Sequence, residues 1–376
     1  MFSDLDHRWM ARALELAEFG LYTSTPNPRV GCVIVKDQEV VGEGWHRRAG
    51  EAHAEVLALA QAGGRARGAT AYVTLEPCAH HGRTPPCARA LVDARVARVV
   101  AAMEDPNPLV AGRGLTILRE AGVDVRCGLL GQEALALNVG FVSRMTRRRP
   151  WVRSKLAATL DGKTALLNGR SQWITSAAAR ADGHAWRARA CAVLTGIGTV
   201  RDDDPRLDVR EVQTPRQPLK VLVDSRLDVD PHARLLAGGR VLIAHGVAPP
   251  GRAQALRDRG CELIEMPNPH GKVDLPALLR HLGSMALNEI HVEAGAKLNG
   301  SLLREGCVDE ILAYLAPSLF GQGAPMFDLA AIDSLDDRIR LAFSSVQPIG
   351  EDLRILAQVL PATEAREAAA GPHEAV

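Results

Sequence analysis

The chain has 376 residues, more than one ordinary core accommodates, and fits two domains of roughly 150 to 200 residues each. With 47% hydrophobic and 24% charged residues, and 34 Gly and 22 Pro, it reads as a globular protein rich in loops. Lys+Arg 45 against Asp+Glu 44 leaves a net charge of +1, so no global positive field draws nucleic acid, and a small, locally gripped substrate is expected.

The opening run MFSDLDHRWM carries acids, a base and His7 where a signal peptide needs an apolar core, and no apolar stretch reaches about 18 residues. A cytoplasmic chain with no membrane partner is expected. From 5 to 19 apolar positions recur at helical spacing, and Gly20 closes the segment as a helix stop. Strand-like and helix-like runs then alternate. Strands are expected at 30–36, 40–46, 69–77, 97–103 and 124–130, with helices at 52–63, 85–94, 112–122 and 131–145. This predicts an α/β layered sandwich.

The basic cluster Arg147, Arg148 and Arg149 precedes Pro150, where strand patterning restarts. It is a solvated linker or a phosphate patch. The boundary falls here, with one domain over 1–147 and a second over 151–360. The second half shows strands at 152–160, 191–200, 219–225, 240–246, 261–267, 289–295 and 309–317, helices near 177–190, 252–259 and 275–282, and an antiparallel pair within 339–360. It too is α/β, and no internal repeat relates the halves. Residues 361–376 are Ala/Glu-rich and non-periodic, so disorder is expected.

The seven cysteines, Cys32, Cys78, Cys87, Cys127, Cys191, Cys261 and Cys307, are an odd number spread over a long chain, which is no secreted disulfide framework. Two of them join the strongest signal in the chain. His53-Ala54-Glu55 starts one helix, Pro77-Cys78 follows a strand, and Cys87 opens the next helix. One imidazole and two thiolates form a three-ligand set suited to Zn2+ with a fourth position open for water. Zinc lowers the pKa of bound water to about 7, and Glu55, beside the metal without ligating it, would carry the proton to a departing amino group. Residues i and i+2 do not share a face inside a regular helix, so His53 and Glu55 must both lie in the opening turn. Helix N-termini near Cys78 and Cys87 would favour thiolates.

H-x-E followed by P-C and a further Cys is the pattern of zinc-dependent nucleobase deaminases, but eight residues, AHHGRTPP, separate Cys78 from Cys87 instead of the usual two. The run from Glu76 to Cys87, with Thr25-Pro-Asn-Pro-Arg-Val-Gly31 and His53-Ala-Glu55, resembles the deaminase domain of the bifunctional riboflavin-biosynthesis deaminase/reductase family. The resemblance implies a cytidine-deaminase-like fold and the substrate 2,5-diamino-6-(5-phosphoribosylamino)pyrimidin-4(3H)-one. Asn27 would then hydrogen-bond the pyrimidine; otherwise it is a turn residue between two prolines. His80 and His81 are read as loop residues near substrate.

No complete G-x-G-x-x-G exists. Gly112-Arg-Gly114 lacks the third glycine and is read as incidental to a helix start, while Thr195-Gly-Ile-Gly-Thr199 follows a strand and could admit a pyrophosphate. Four runs, at 154–163, 171–175, 202–207 and 292–300, resemble in order the reductase half of the same family, whose fold is similar to dihydrofolate reductase. The resemblance extends over nearly the whole chain. It implies NADPH contacts at Ala157, Trp173, Thr199, Asp203, Ser225 and the loop from Gly295, and substrate contacts at Ser171, Arg187, Leu207, Arg210 and Glu293. Arg187 and Arg210 suit phosphate, since guanidinium binds its oxygens bidentately.

Lys155 lies on a strand otherwise rich in apolar and small residues, where an unpaired ammonium is costly. Pairing with Glu293 would let the two manage the proton of the reduction, or be only a structural ion pair. Trp173 is either core or a stacking surface. The partners expected are a phosphorylated pyrimidine and further copies of the chain. Two rival readings stand: a single-function base deaminase joined to an inert domain, and a zinc-stabilised binding module. The first, as an RNA editor, would need a basic channel that the balanced charge does not supply. The second would use four protein ligands and leave Glu55 without a task.

Overall fold

The first helix, α1 (Asp4–Glu18), opens with a reciprocal cap in which Ser3 Oγ accepts from Asp6 N and Asp6 accepts from Ser3 N. In this computed structural model, which describes residues 2–79, 86–108, 110–249 and 251–361, the chain divides into two units. One is Met1–Arg149 with Ala286–Asn288; the other is Pro150–Met285 with Glu289 onward. His80, His81 and the tail after Pro361 lie outside the described residues.

The first unit continues with β1 (Gly31–Lys36), β2 (Glu39–Trp45), α2 (Ala54–Ala62), β3 (Thr70–Val73), α3 (Cys87–Asp93), β4 (Arg98–Ala101), α4 (Arg113–Glu120), β5 (Asp124–Cys127) and α5 (Gly131–Arg147). The sheet runs β2-β1-β3-β4-β5, with β3, β4 and β5 parallel and β1 antiparallel to both neighbours. Successive strand residues point to opposite faces. Cys32, Ile34, Val73 and Val99 meet Ala58, Leu91 and Leu118 of α2, α3 and α4, whereas Val33, Val35, Tyr72 and Val100 meet Met10, Ala13 and Ala134 of α1 and α5. Three layers follow. The helix α2 lies very close to β2: a Cβ on Gly42 would stand 2.1 Å from Ala58 O, and one on Gly44 2.3 Å from Ala54 O.

The second unit comprises β6 (Trp151–Thr159), β7 (Lys163–Ala165), α6 (Ala177–Arg189), β8 (Ala192–Gly196), α7 (Ile197–Asp203), β9 (Leu219–Val223), β10 (Val241–His245), α8 (Arg252–Asp258), β11 (Glu262–Glu265), α9 (Leu275–Ser284), β12 (Glu289–Val292), α10 (Ala296–Arg304), β13 (Glu310–Ala316), β14 (Ala324–Pro325), β15 (Leu341–Ile349) and β16 (Asp352–Val359). Its nine-stranded sheet runs β11-β10-β9-β8-β12-β6-β13-β16-β15. The strands from β11 to β13 are parallel, and the last two are antiparallel. Connections through α6, α7 and α8 step towards β11, and those through α9 and α10 step back. Right-handed crossovers therefore place the two groups of helices on opposite faces. The order reverses between β8 and β12, the place where open parallel sheets hold ligands at the carboxyl ends of their strands.

The expected strand over 191–200 is shorter: it ends at Gly196, and α7 begins at Ile197. Ile197, Thr199 and Val200 are β-branched and read as strand, but Val200 is buried among the side chains of β8, β9 and β10, and that packing overrides propensity. The loop expected from Gly295 is instead the start of α10, with Gly295 as its N-cap. Asn299 and Gly300 hid this helix. Asn299 earns its place by donating to Ala294 O at 2.8 Å. The strands β7 and β14 pair as a two-stranded ribbon that the patterning does not reveal. Among the described residues no helix is long and apolar enough to cross a membrane.

Candidate active sites

In the first unit, His53 is the N-cap of α2, with extended backbone, and Glu55 sits in the first turn. The geometry is the one that i, i+2 spacing requires. Cys87 opens α3, and Cys78 lies beyond the end of β3. One ligand atom from each of His53, Cys78 and Cys87 lies within 4.8 Å of the others. His53 Nδ1 is 3.2 Å from Cys87 Sγ and 3.6 Å from Cys78 Sγ, and the backbone N–H of Cys87 donates to Cys78 Sγ at 3.3 Å. The hydrogen bond from Cys87, opposed by burial and helped by His53, favours a thiolate at Cys78, while that same contact and burial raise the Cys87 thiol. Glu55 is 3% exposed, and burial pushes its carboxyl up to about 7.

Two residues that the motif reading missed complete this site. His46, 3% exposed, packs edge-on against the His53 ring with centroids 5.3 Å apart. Its Nδ1 is 3.2 Å from Ala52 O, which fixes that nitrogen as the protonated one, and Nε2 then accepts from Asn27 Nδ2 at 3.0 Å. Burial lowers the His46 pKa and keeps the ring neutral. Asn27 Oδ1 has no partner among the described residues. The second missed residue, Glu76, is buried and takes up backbone amides around the start of α4.

In the second unit Lys155, Ala157, Ser171, Trp173, Arg187, Thr199, Asp203, Leu207, Arg210, Ser225, Glu293 and Gly295 all line one cleft of about 1410 Å³. That exceeds the usual range of roughly 300–1,000 Å³ for a single small ligand and suits a dinucleotide with a second molecule. Ser225 follows β9 and Glu293 follows β12, at the carboxyl ends where the strand order reverses. Gly295 N donates to Thr199 Oγ1 at 3.1 Å, and Val273 N to Ser225 Oγ at 3.3 Å. Ser171 Oγ is 3.4 Å from Asp203 Oδ1. Leu207 is buried with φ +51. Trp173 is 67% exposed, with the Arg180 guanidinium 4.6 Å from its ring centroid, so it is not core.

Glu293 pairs with Arg187, through Nε to Oε1 at 2.7 Å and Nη2 to Oε2 at 3.0 Å. The expected ion pair of Glu293 with Lys155 is not formed. Burial alone would raise Glu293; Arg187, His291 and Lys155 together outweigh it and hold the carboxyl well below its ordinary value. Burial holds the Lys155 ammonium below the usual lysine range against the pull of Glu293. Arg187 Nη1 also donates to Asp208 O at 2.5 Å. Arg210, half-exposed, donates to Asp208 Oδ1 at 3.0 Å.

Comparison with known proteins agrees on both halves. Residues 150–355 match the family model described as the RibD C-terminal domain, and residues 3–103 match that of the cytidine and deoxycytidylate deaminase zinc-binding region. The riboflavin biosynthesis protein RibD of Escherichia coli is 47% identical over 369 residues, covering 93% of this chain and 98% of that relative. That of Haemophilus influenzae is 45% identical, over 94% and 97%. Among solved structures, Acinetobacter baumannii RibD superposes with a TM-score of 0.86 at 44% identity, covering 95% of this chain and 99% of that one. A diaminohydroxyphosphoribosylaminopyrimidine deaminase/5-amino-6-(5-phosphoribosylamino)uracil reductase from Thermotoga maritima gives 0.84 at 31% identity, over 95% and 99%.

Proposed function

Given that the chain belongs to the RibD family of bifunctional riboflavin-biosynthesis enzymes, we propose how its own residues divide the family's two reactions between them. The enzyme uses Zn2+ and NADPH. It deaminates 2,5-diamino-6-(5-phosphoribosylamino)pyrimidin-4(3H)-one and then reduces the ribosyl group of 5-amino-6-(5-phosphoribosylamino)uracil to ribityl. The deaminase is assigned to 1–147 and the reductase to 151–360.

The deaminase reading is carried by the convergence of His53, Cys78 and Cys87 to within 4.8 Å beside the buried Glu55. One nitrogen and two sulfurs are a soft-to-borderline donor set that fits zinc and leaves a position open. Zinc, when bound, supplies a nucleophile at neutral pH by lowering the pKa of water. Glu55 takes the proton of that water and delivers it to the departing amino nitrogen, which leaves as ammonia. Asn27 offers Oδ1 to the pyrimidine because His46 holds its amide nitrogen.

In the reductase, NADPH, when bound, supplies the hydride. Ala157, Trp173, Thr199, Asp203, Ser225 and Gly295 hold it, with the exposed Trp173 ring, backed by Arg180, as the stacking surface. Ser171, Leu207 and Glu293 receive the sugar. Lys155 gives the proton that accompanies ring opening, which a lowered ammonium pKa favours. Arg210 takes the phosphate; Arg187, already engaged by Glu293 and Asp208, acts through Glu293.

The chain works in the cytoplasm as a homo-oligomer, without nucleic acid. The nine-residue outer strand β15 favours assembly, since its Phe343 is 71% exposed and Val346 53% exposed.

The decisive experiment measures ammonia release by zinc-loaded protein and by Glu55→Ala, and NADPH oxidation with each pyrimidine in turn. Ammonia release that survives Glu55→Ala defeats the proposed proton carrier, and oxidation driven by the diaminopyrimidine defeats the order of steps.

A further inference from the structure

Glu76 sits two residues before Cys78, yet its carboxylate is turned away into the protein and is 3% exposed. Four backbone amides converge on it. Oε2 accepts from Asp105 N at 3.0 Å and Gly112 N at 2.9 Å, and Oε1 from Gly114 N at 2.8 Å and Leu115 N at 3.3 Å. The N-cap of α4, Gly112, has no side chain to offer the first turn. Glu76 supplies that cap from the loop beyond β3, with an anionic acceptor at the positive end of the helix. Its own N–H donates to Met103 O at 3.0 Å, so the ends of β3 and β4 are joined at the same point.

The next residue is held as well. A Cβ on Gly114 would stand 1.8 Å from Pro77 O, so only glycine lets the Pro77 carbonyl rest on α4. Cys78 follows directly, beyond the last ladder residue of β3, Val73. Its placement therefore comes from these two anchors and from its contacts with His53 and Cys87, rather than from the sheet. The Gly-x-Gly at 112–114 thus has a task, though not one of binding a nucleotide.

We propose that Glu76 and Gly114 are positioning residues, which hold the Cys78 sulfur where it can close the three-ligand set with His53 and Cys87. The inference rests on the reading of those three side chains as metal ligands. Orienting groups of this kind typically change metal affinity by about 10- to 100-fold.

The test uses the full-length protein, titrated with zinc against a chromophoric chelator and separately loaded with cobalt(II). Cobalt reports sulfur ligation through its thiolate charge-transfer absorption. Glu76→Gln keeps the shape but turns a donor towards the amides. It is expected to weaken zinc by about 10- to 100-fold and to reduce the absorption per bound cobalt, while NADPH oxidation with the uracil intermediate stays unchanged. Gly114→Ala is expected to act in the same direction and serves where Glu76→Gln does not accumulate. Parental affinity and spectrum in both variants overturn the proposal. Cys78→Ser is the control for the underlying reading: if it too keeps parental affinity and spectrum, Cys78 is no ligand and both ideas fall. If it loses them while the other two variants do not, only the positioning role falls.

Discussion

Arg187 meets Glu293 edge to edge, with Nε on one carboxylate oxygen at 2.7 Å and Nη2 on the other at 3.0 Å. Both side chains are largely withdrawn from water, and Arg187 comes from α6 whereas Glu293 follows β12. A fork of this kind is stronger and more directional than a point-charge contact.

Removing Arg187 leaves the buried Glu293 carboxylate without its two guanidinium hydrogen bonds, with only His291 at 3.5 Å still facing it closely. Arg187→Ala is expected to cost about 3–5 kcal/mol in the unfolding of the reductase unit and to lower its kcat, with ammonia release retained. Denaturant titration and separate assays of the two steps check this. If the variant instead raises only the KM for the phosphorylated uracil with stability unchanged, Arg187 is a phosphate grip after all.

Metal removal should separate the two activities. Chelation is expected to stop ammonia release, and zinc to restore it, while NADPH oxidation with supplied uracil intermediate continues, because none of the residues lining the reductase cleft belongs to the His53, Cys78 and Cys87 set. Glu55→Gln should bind zinc yet lose about 10²–10⁴-fold in deamination rate. Loss of NADPH oxidation on chelation would contradict this.

His184 gives a pH dependence. Burial, with Arg187 and Arg210 adding repulsion and Glu211 and Glu293 opposing it, lowers its pKa from 6.5 to about 4. The folded state therefore keeps the ring neutral where the unfolded chain protonates it. Stability from this source is complete above pH 6.5 and is lost as the pH falls towards 4, by at most about 3 kcal/mol. In urea titrations the gap between the parent and His184→Gln should narrow over that interval. A gap that stays constant from pH 7 to about 4 would refute the linkage.

Phe343 and Val346 stand exposed on the outer strand β15. If copies of the chain meet there, Phe343→Asp should reduce the mass measured by light scattering, with the far-ultraviolet spectrum preserved. An unchanged mass places the association elsewhere.

The sequence carried the deaminase site because its signals are local. A His and a Glu at a helix start, and a Cys opening another helix, can be read from their own neighbours. The parts it concealed depend on partners far away. Glu76 accepts amides 29 to 39 residues further on, and Arg187 meets Glu293 across 106 residues, so no spacing rule announces either. Lys155 was legible as a costly buried cation, but not which cation would win Glu293. The helix α10 was obscured by Asn299 and Gly300, whose low helix propensity is overridden by tertiary contacts.

The glycine seam between β2 and α2 also limits how this enzyme can change. With Gly42 and Gly44 closed against the carbonyls of Ala58 and Ala54, no methyl group can be added beneath the helix that presents His53 and Glu55. The scaffold offers no slack for drifting the hydrolytic machinery. That makes the loop around Asn27, rather than the buried face of this helix, the better place to randomise in a search for new substrates.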